Sequence, residues 1–98
     1  MQFVITARDG ANMLERRMRV RPRHLENLAK VQDHVLCAGG LLDDAGNPIG
    51  SALILEFADR EQLDEYLRGE PYILEKVWEK VDVAPMNMVI MNGEKVGK

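Results

Sequence analysis

The hydrophobic pattern changes period several times along the chain, and each change predicts an element. Gln2-Phe3-Val4-Ile5-Thr6-Ala7 is short, apolar and β-branched, and Asp9-Gly10 follows it, so it predicts a first strand closed by a turn. Asn12 and Glu15 have the spacing of a capping pair and predict a brief helical turn through Arg17. Proline fits the first turn of a helix, so a longer helix is expected to begin near Pro22 and run to Asp33 or His34. His24, Leu28, Val31 and Val35 then share one face, with Glu26, Lys30 and Asp33 turned away.

Val35-Leu36-Cys37-Ala38 predicts a buried strand stopped by Gly39-Gly40, and the turn-forming run Asp43–Pro48 predicts a loop. Ser51, Leu53, Leu55 and Phe57 alternate with Ala52, Ile54 and Glu56, which is the period of a strand. Asp59 and Gln62 are a start signal for a helix carrying Leu63, Tyr66 and Leu67, and Gly69 ends it. Pro71 opens one more helical turn through Ile73, Leu74 and Val77. Val81 and Val83 alternate with Lys80, Asp82 and Ala84, break at Pro85 and resume through Met88, Val89 and Ile90, predicting a last, bent strand. The polar segment from Asn92 to Lys98 is expected to be loose.

The order β-α-β-β-α-β is that of the α+β, ferredoxin-like split unit, with a four-stranded antiparallel sheet and both helices on one face. The other face then lacks cover, and a second copy of the chain is the simplest source of it. With 98 residues, two separate cores would each bury too little surface, so residues 1–98 are expected to form one domain that pairs as a homodimer.

Composition adds exclusions. Charged residues are 30% of the chain and AVILMFWYC residues 46%, a balance that argues for a packed fold over disorder. Arg16, Arg17, Arg19, Arg21 and Arg23 cluster, but the net charge is -3 and no aromatic residue interleaves with them, which argues against nucleic acid as a partner. A solvated surface and an anion-binding surface both remain open for that cluster. Cys37 is the lone cysteine, so it suits a reducing, cytoplasmic setting and reads as packing in a central strand. No apolar run approaches membrane-spanning length.

Chemistry-bearing motifs are few. Gly39-Gly40 and Gly46 form neither a dinucleotide fingerprint nor a phosphate loop, and His24 and His34 lack metal-ligand spacing, so no cofactor and no metal is expected. The methionines at 86, 88 and 91 read as core or interface filling, and His34 as a helix C-terminal cap. His24 lies on an apolar helix face near the positive end of its helix, where burial and the helix terminus would both favour the neutral imidazole that a general base needs. A core histidine satisfied by one hydrogen bond is the alternative.

The stretch Leu14-Glu15-Arg16-Arg17-Met18-Arg19-Val20-Arg21-Pro22-Arg23-His24-Leu25 resembles the YCII-related family. Ala38-Gly39, Gly50-Ser51, Pro71-Tyr72 and Val83-Ala84-Pro85 with Val89 extend the resemblance, in order, over almost the whole chain. It implies a dimeric α/β-barrel fold and a histidine–aspartate catalytic pair. The histidine maps onto His24 and the acid onto Glu70, where this chain carries glutamate in place of aspartate; Tyr72 completes the proline–tyrosine pair.

The family is associated in part with aromatic degradation, including removal of HCl from chlorinated hydroxyquinols. The resemblance therefore implies a cofactor-independent lyase acting on a small anionic or phenolic substrate, with Tyr72 and one of Arg16, Arg19 or Arg21 at the substrate. A non-catalytic binding or accessory dimer stands as the alternative. A heme-free monooxygenase is a weaker third reading, since one Trp gives little for a broad aromatic pocket.

Overall fold

A computed structural model describes residues 1–97. Strand β1 (Gln2–Asp9) leads to helix α1 (Leu14–Lys30), a 3-10 turn (Gln32–His34), and strands β2 (Val35–Leu42) and β3 (Pro48–Glu56). Helices α2 (Arg60–Arg68) and α3 (Pro71–Leu74) follow, then strand β4 (Trp78–Met86) and two short strands, β5 (Ile90–Met91) and β6 (Glu94–Lys95). The four long strands form one antiparallel sheet in the order β2-β3-β1-β4. This is the ferredoxin-like arrangement, with β1 and β3 central.

Register explains the two faces. Phe3, Ile5 and Ala7 of β1 lie beside Leu55, Leu53 and Ser51 of β3, and all six are buried under the helices. Their neighbours along the strands point the other way, so Val4 stands between Ile54 and Ala84, with Cys37 beyond Ile54. Val20 of α1 and Leu63 of α2 close the core from above, with Tyr72, Val77 and Trp78 filling its end. At Gly50 a Cβ would collide with the Ala7 carbonyl, so the β1–β3 approach requires glycine there.

Several expectations change. Pro22 does not open a helix: α1 is continuous from Leu14, with Pro22 inside it. Proline leaves the carbonyl four residues back, that of Met18, without its amide. Pro22 and Met18 both face solvent, where water can serve that carbonyl. Asn12 caps nothing; it takes a left-handed turn (φ 58°), and Met13 stands at the N-cap without a side-chain bond. His24 consequently lies mid-helix, beyond the reach of the helix terminus, whose field fades within a turn.

Strand β2 continues through Gly39-Gly40, because both glycines stay in register with Ala52 and Ser51 of β3. It is an edge strand, and Cys37 is exposed on it, so the reading of Cys37 as central packing is corrected. Strand β4 accommodates Pro85, which an edge strand tolerates. It ends at Met86, and residues 90–95 form a separate hairpin, whose Asn92 and Gly93 turn with φ of 52° and 77°. Of the segment expected to be loose, residues 92–95 supply the turn and second strand of that hairpin, and Lys98 lies outside the described residues.

Candidate functional site

Helix α1 carries Arg17, Val20 and His24 on its inward face at spacings of three and four, and all three are buried. Opposite them, Gly69 ends α2 and Pro71 occupies the first turn of α3. Glu70 is held between the two as the N-cap of α3. It is fully buried, and its Oε1 accepts the Tyr72 backbone N–H at 3.1 Å. Asp59 plays the same capping role for α2, accepting from the Gln62 N–H at 3.0 Å.

The same Glu70 Oε1 lies 2.6 Å from His24 Nδ1. Its other oxygen, Oε2, accepts the Tyr66 hydroxyl at 2.6 Å. Burial alone would raise the Glu70 carboxyl, but the bonds and charge of His24, the Tyr66 hydroxyl and the Tyr72 amide outweigh it and hold the group below the usual carboxylate range. An ionised Glu70 can only accept, which assigns a proton to His24 Nδ1; in the neutral form of the ring the lone pair is then on Nε2. The imidazole stacks on Tyr72, with centroids 4.1 Å apart and planes at 20°, and meets Trp78 edge-on at 6.1 Å.

A second network adjoins the first. Arg17 Nη1 donates to both oxygens of Asp9, at 2.9 and 3.0 Å, and Nη2 donates to Ser51 Oγ at 2.9 Å. The Trp78 indole N–H donates to the same Oγ at 3.2 Å. With both neighbours donating to it, the Ser51 hydroxyl keeps its own proton for a third partner. The Arg17 guanidinium also lies over the Tyr72 ring, 4.7 Å from its centroid. Burial raises the Asp9 carboxyl, against the pull of Arg17, and raises the Tyr72 phenol, against Arg17 and Arg21.

These groups meet at a cavity of about 140 Å³, walled by Arg17, Arg21, His24, Leu28, Ser51 and Tyr72, with Ala38, Gly39 and Gly40 along the β2 side. That is the scale of a space that takes one benzene-sized ring. A larger cleft of about 330 Å³ lies between the β1–α1 loop and Asp43–Ile49, but no histidine lines it. Another, of about 390 Å³, is lined by His34, whose Nδ1 lies against the Glu56 carbonyl and not against a carboxylate. The smaller cavity is the one whose histidine is bonded to a buried carboxylate, and acid–base chemistry points there.

Of the residues singled out from sequence, His24, Tyr72 and Arg21 line this cavity, and Glu70 lies buried behind His24, bonded to its ring. Arg16 and Arg19 do not: they line a shallow cleft with Asn12, Met13 and Glu15, and Arg16 donates to the Glu75 carbonyl at 3.4 Å. Arg17 was named only within the basic cluster and the resemblance, and Ser51 only as a strand position and within the resemblance; Tyr66, Asp9 and Trp78 were given no role at a site. Arg17 had a signal, since it stands seven residues before His24 and so two turns away on the same face. His34 caps no helix; its Nδ1 lies 2.7 Å from the Glu56 carbonyl and its ring stacks on Phe57. Among the described residues no group of three or more His, Cys, Asp or Glu side chains is placed to hold a metal. Likewise, no described helix is long and apolar enough to cross a membrane.

Residues 1–87 match the YCII-related domain. The chain belongs to the YCII-related family. Protein YciI of Escherichia coli is 36% identical over 97 residues, an alignment covering 91% of this chain and 99% of that one. Among solved structures, this YCII-related protein is similar to 5-chloro-2-hydroxyhydroquinone dehydrochlorinase (TftG) of Burkholderia phenoliruptrix, in complex with 2,5-dihydroxybenzoquinone. The TM-score is 0.81 at 21% identity, over 88% of this chain and 93% of that one. It also resembles an antibiotic biosynthesis monooxygenase, with a TM-score of 0.57 at 15% identity over 91% and 98% of the two chains. At such identities both likenesses concern the fold.

Proposed function

We propose that this YCII-related protein is a cofactor-independent proton-transfer enzyme that removes HCl from a chlorinated hydroxyquinol. The observation that carries the reading is the 2.6 Å contact between His24 Nδ1 and Glu70 Oε1 at the wall of a ring-sized cavity that also holds two arginines. In this reading His24 Nε2 takes a hydroxyl proton from the substrate, and Glu70 supports the imidazolium that forms. Arg21, the outer of the two cavity arginines, holds the phenolate or enolate oxygen, and Arg17 adds its charge from behind Tyr72.

The balance needs no oxidant. The imidazolium returns the proton to the chlorine-bearing ring carbon, which gives a ketone with hydrogen and chlorine on one carbon. Loss of a second hydroxyl proton to His24 then expels chloride, and the product is the hydroxyquinone, which is the substrate less one HCl. The dehydrochlorinase named in the structural likeness acts on a substrate of this class, and that likeness supports the choice. The protein is read as cytoplasmic and as a homodimer whose partner covers the open sheet face.

The test is anaerobic incubation with 5-chloro-2-hydroxyhydroquinone, following chloride with a halide electrode. Without oxygen, autoxidation is removed, and the reading requires chloride release proportional to protein. A rate equal to the protein-free control would leave a binding or accessory dimer as the better description.

A further inference from the structure

We propose that Tyr66 is a positioning residue for the His24–Glu70 pair, fixing the carboxylate so that Oε1 faces the imidazole; this rests on the reading of His24 as the base. The terminal torsion of a glutamate is broad and soft, so burial alone does not set the plane of its carboxylate. In this chain Oε1 serves two donors, His24 Nδ1 and the Tyr72 N–H, and Oε2 has one, the Tyr66 hydroxyl. The hydroxyl is therefore the handle on the far side of the carboxylate, opposite the histidine.

The handle is itself held. Tyr66 is buried on α2, and its ring packs beside Phe57 at 6.5 Å, while Phe57 in turn lies against His34. Four residues separate Tyr66 from Glu70, and the break of the helix at Gly69 brings the carboxylate back over the tyrosine. Burial and the neighbouring Glu70 charge push the Tyr66 phenol above its usual range, which favours the protonated hydroxyl that donates to Oε2. The charged or titratable groups around the imidazole are Glu70 and Tyr72 on the α3 side and Arg17 and Arg21 on α1. Tyr66 touches none of these four except Glu70 in the bonds described, so its influence on His24 passes through that carboxylate.

Tyr66→Phe removes the hydroxyl and keeps the ring, and a thermal melt checks that it folds. The decisive readout is the His24 Nδ1 proton followed by NMR in the free protein. In the wild type this short, buried bond gives a downfield resonance; in Tyr66→Phe it should move upfield and exchange about tenfold faster. In a Glu70→Gln background the same substitution should change nothing further. With substrate, kcat should fall by about tenfold while KM stays within about twofold, the scale of one hydrogen bond to a charged group. An unchanged or further-downfield resonance would overturn the proposal. The resonance is read without substrate, so the two ideas separate: an inactive wild type whose resonance responds to Tyr66→Phe retires the enzyme reading and leaves the positioning role standing.

Discussion

The imidazole of His24 and the phenol of Tyr72 lie face to face, with centroids 4.1 Å apart and 20° between their planes. The stack does two things. It stops rotation of the imidazole about its last torsion, and it presents a π face to the imidazolium that proton transfer creates. Tyr72→Phe keeps that face and should retain catalysis within about threefold. Tyr72→Leu removes it and should lower kcat by roughly tenfold, together with a loss of about 2 kcal/mol of stability from the disturbed core. Steady-state rates and urea melts on the two variants separate these outcomes.

The arginines differ in kind. Arg17 is buried against an equally buried Asp9, whereas Arg21 is exposed and lines the cavity. Arg17→Ala leaves Asp9 buried without its partner and should cost about 3–5 kcal/mol. Arg21→Ala should leave the melting temperature within about 2 °C and raise KM for a phenolate by roughly tenfold. Arg16→Ala and Arg19→Ala, in the other cleft, should do neither. Calorimetry and KM values across the four variants check the division.

Glu70 gives a pH signature. Its carboxyl titrates below the usual range in the fold, so the unfolded chain binds the proton first as pH falls. The stability it contributes is therefore complete above the ordinary glutamate pKa and is lost as pH drops through the lower, folded value. Glu70→Gln removes that linkage. Denaturant unfolding between pH 5 and pH 2 should show the wild type losing its advantage over Glu70→Gln as the pH drops, the advantage near pH 5 being about 2 kcal/mol. A gap that stays constant over this range would contradict the ionised, triply bonded carboxylate.

Much of this fold was legible in the chain. The apolar, β-branched run of β1, the alternation in β3, the Asp59 cap of α2 and the Pro71 start of α3 are local signals, and tertiary structure left them in place. Pro22 was misleading because proline marks a helix start only when the preceding pattern is not already helical. The inward series Arg17, Val20, His24 runs through it without a break. Gly39-Gly40 reads as a stop by propensity, yet pairing with β3 carries the strand on. The candidate pair was reached through family resemblance more than through spacing, since Glu70 stands 46 residues from His24 and only the fold joins them. Arg17 and Ser51 received no specific site role because a buried arginine and a small hydroxyl look like surface and strand filling until their partners are known.

The open sheet face sets the assembly prediction. Val4, Ala52 and Ile54 present apolar surface that the helices do not cover. Light scattering at micromolar concentration should give about twice the chain mass of 11.1 kDa. Ile54→Glu should bring it to the monomer mass by placing a charge in the middle of that face. A folded wild-type monomer would remove the premise.

The central claim is that His24 moves the proton, and anaerobic chloride release from 5-chloro-2-hydroxyhydroquinone by wild type and by His24→Ala tests it directly. The rate should fall by roughly a hundred- to ten-thousand-fold in His24→Ala, with the protein still folded. A His24→Ala rate equal to that of the wild type would be incompatible with His24 as the base.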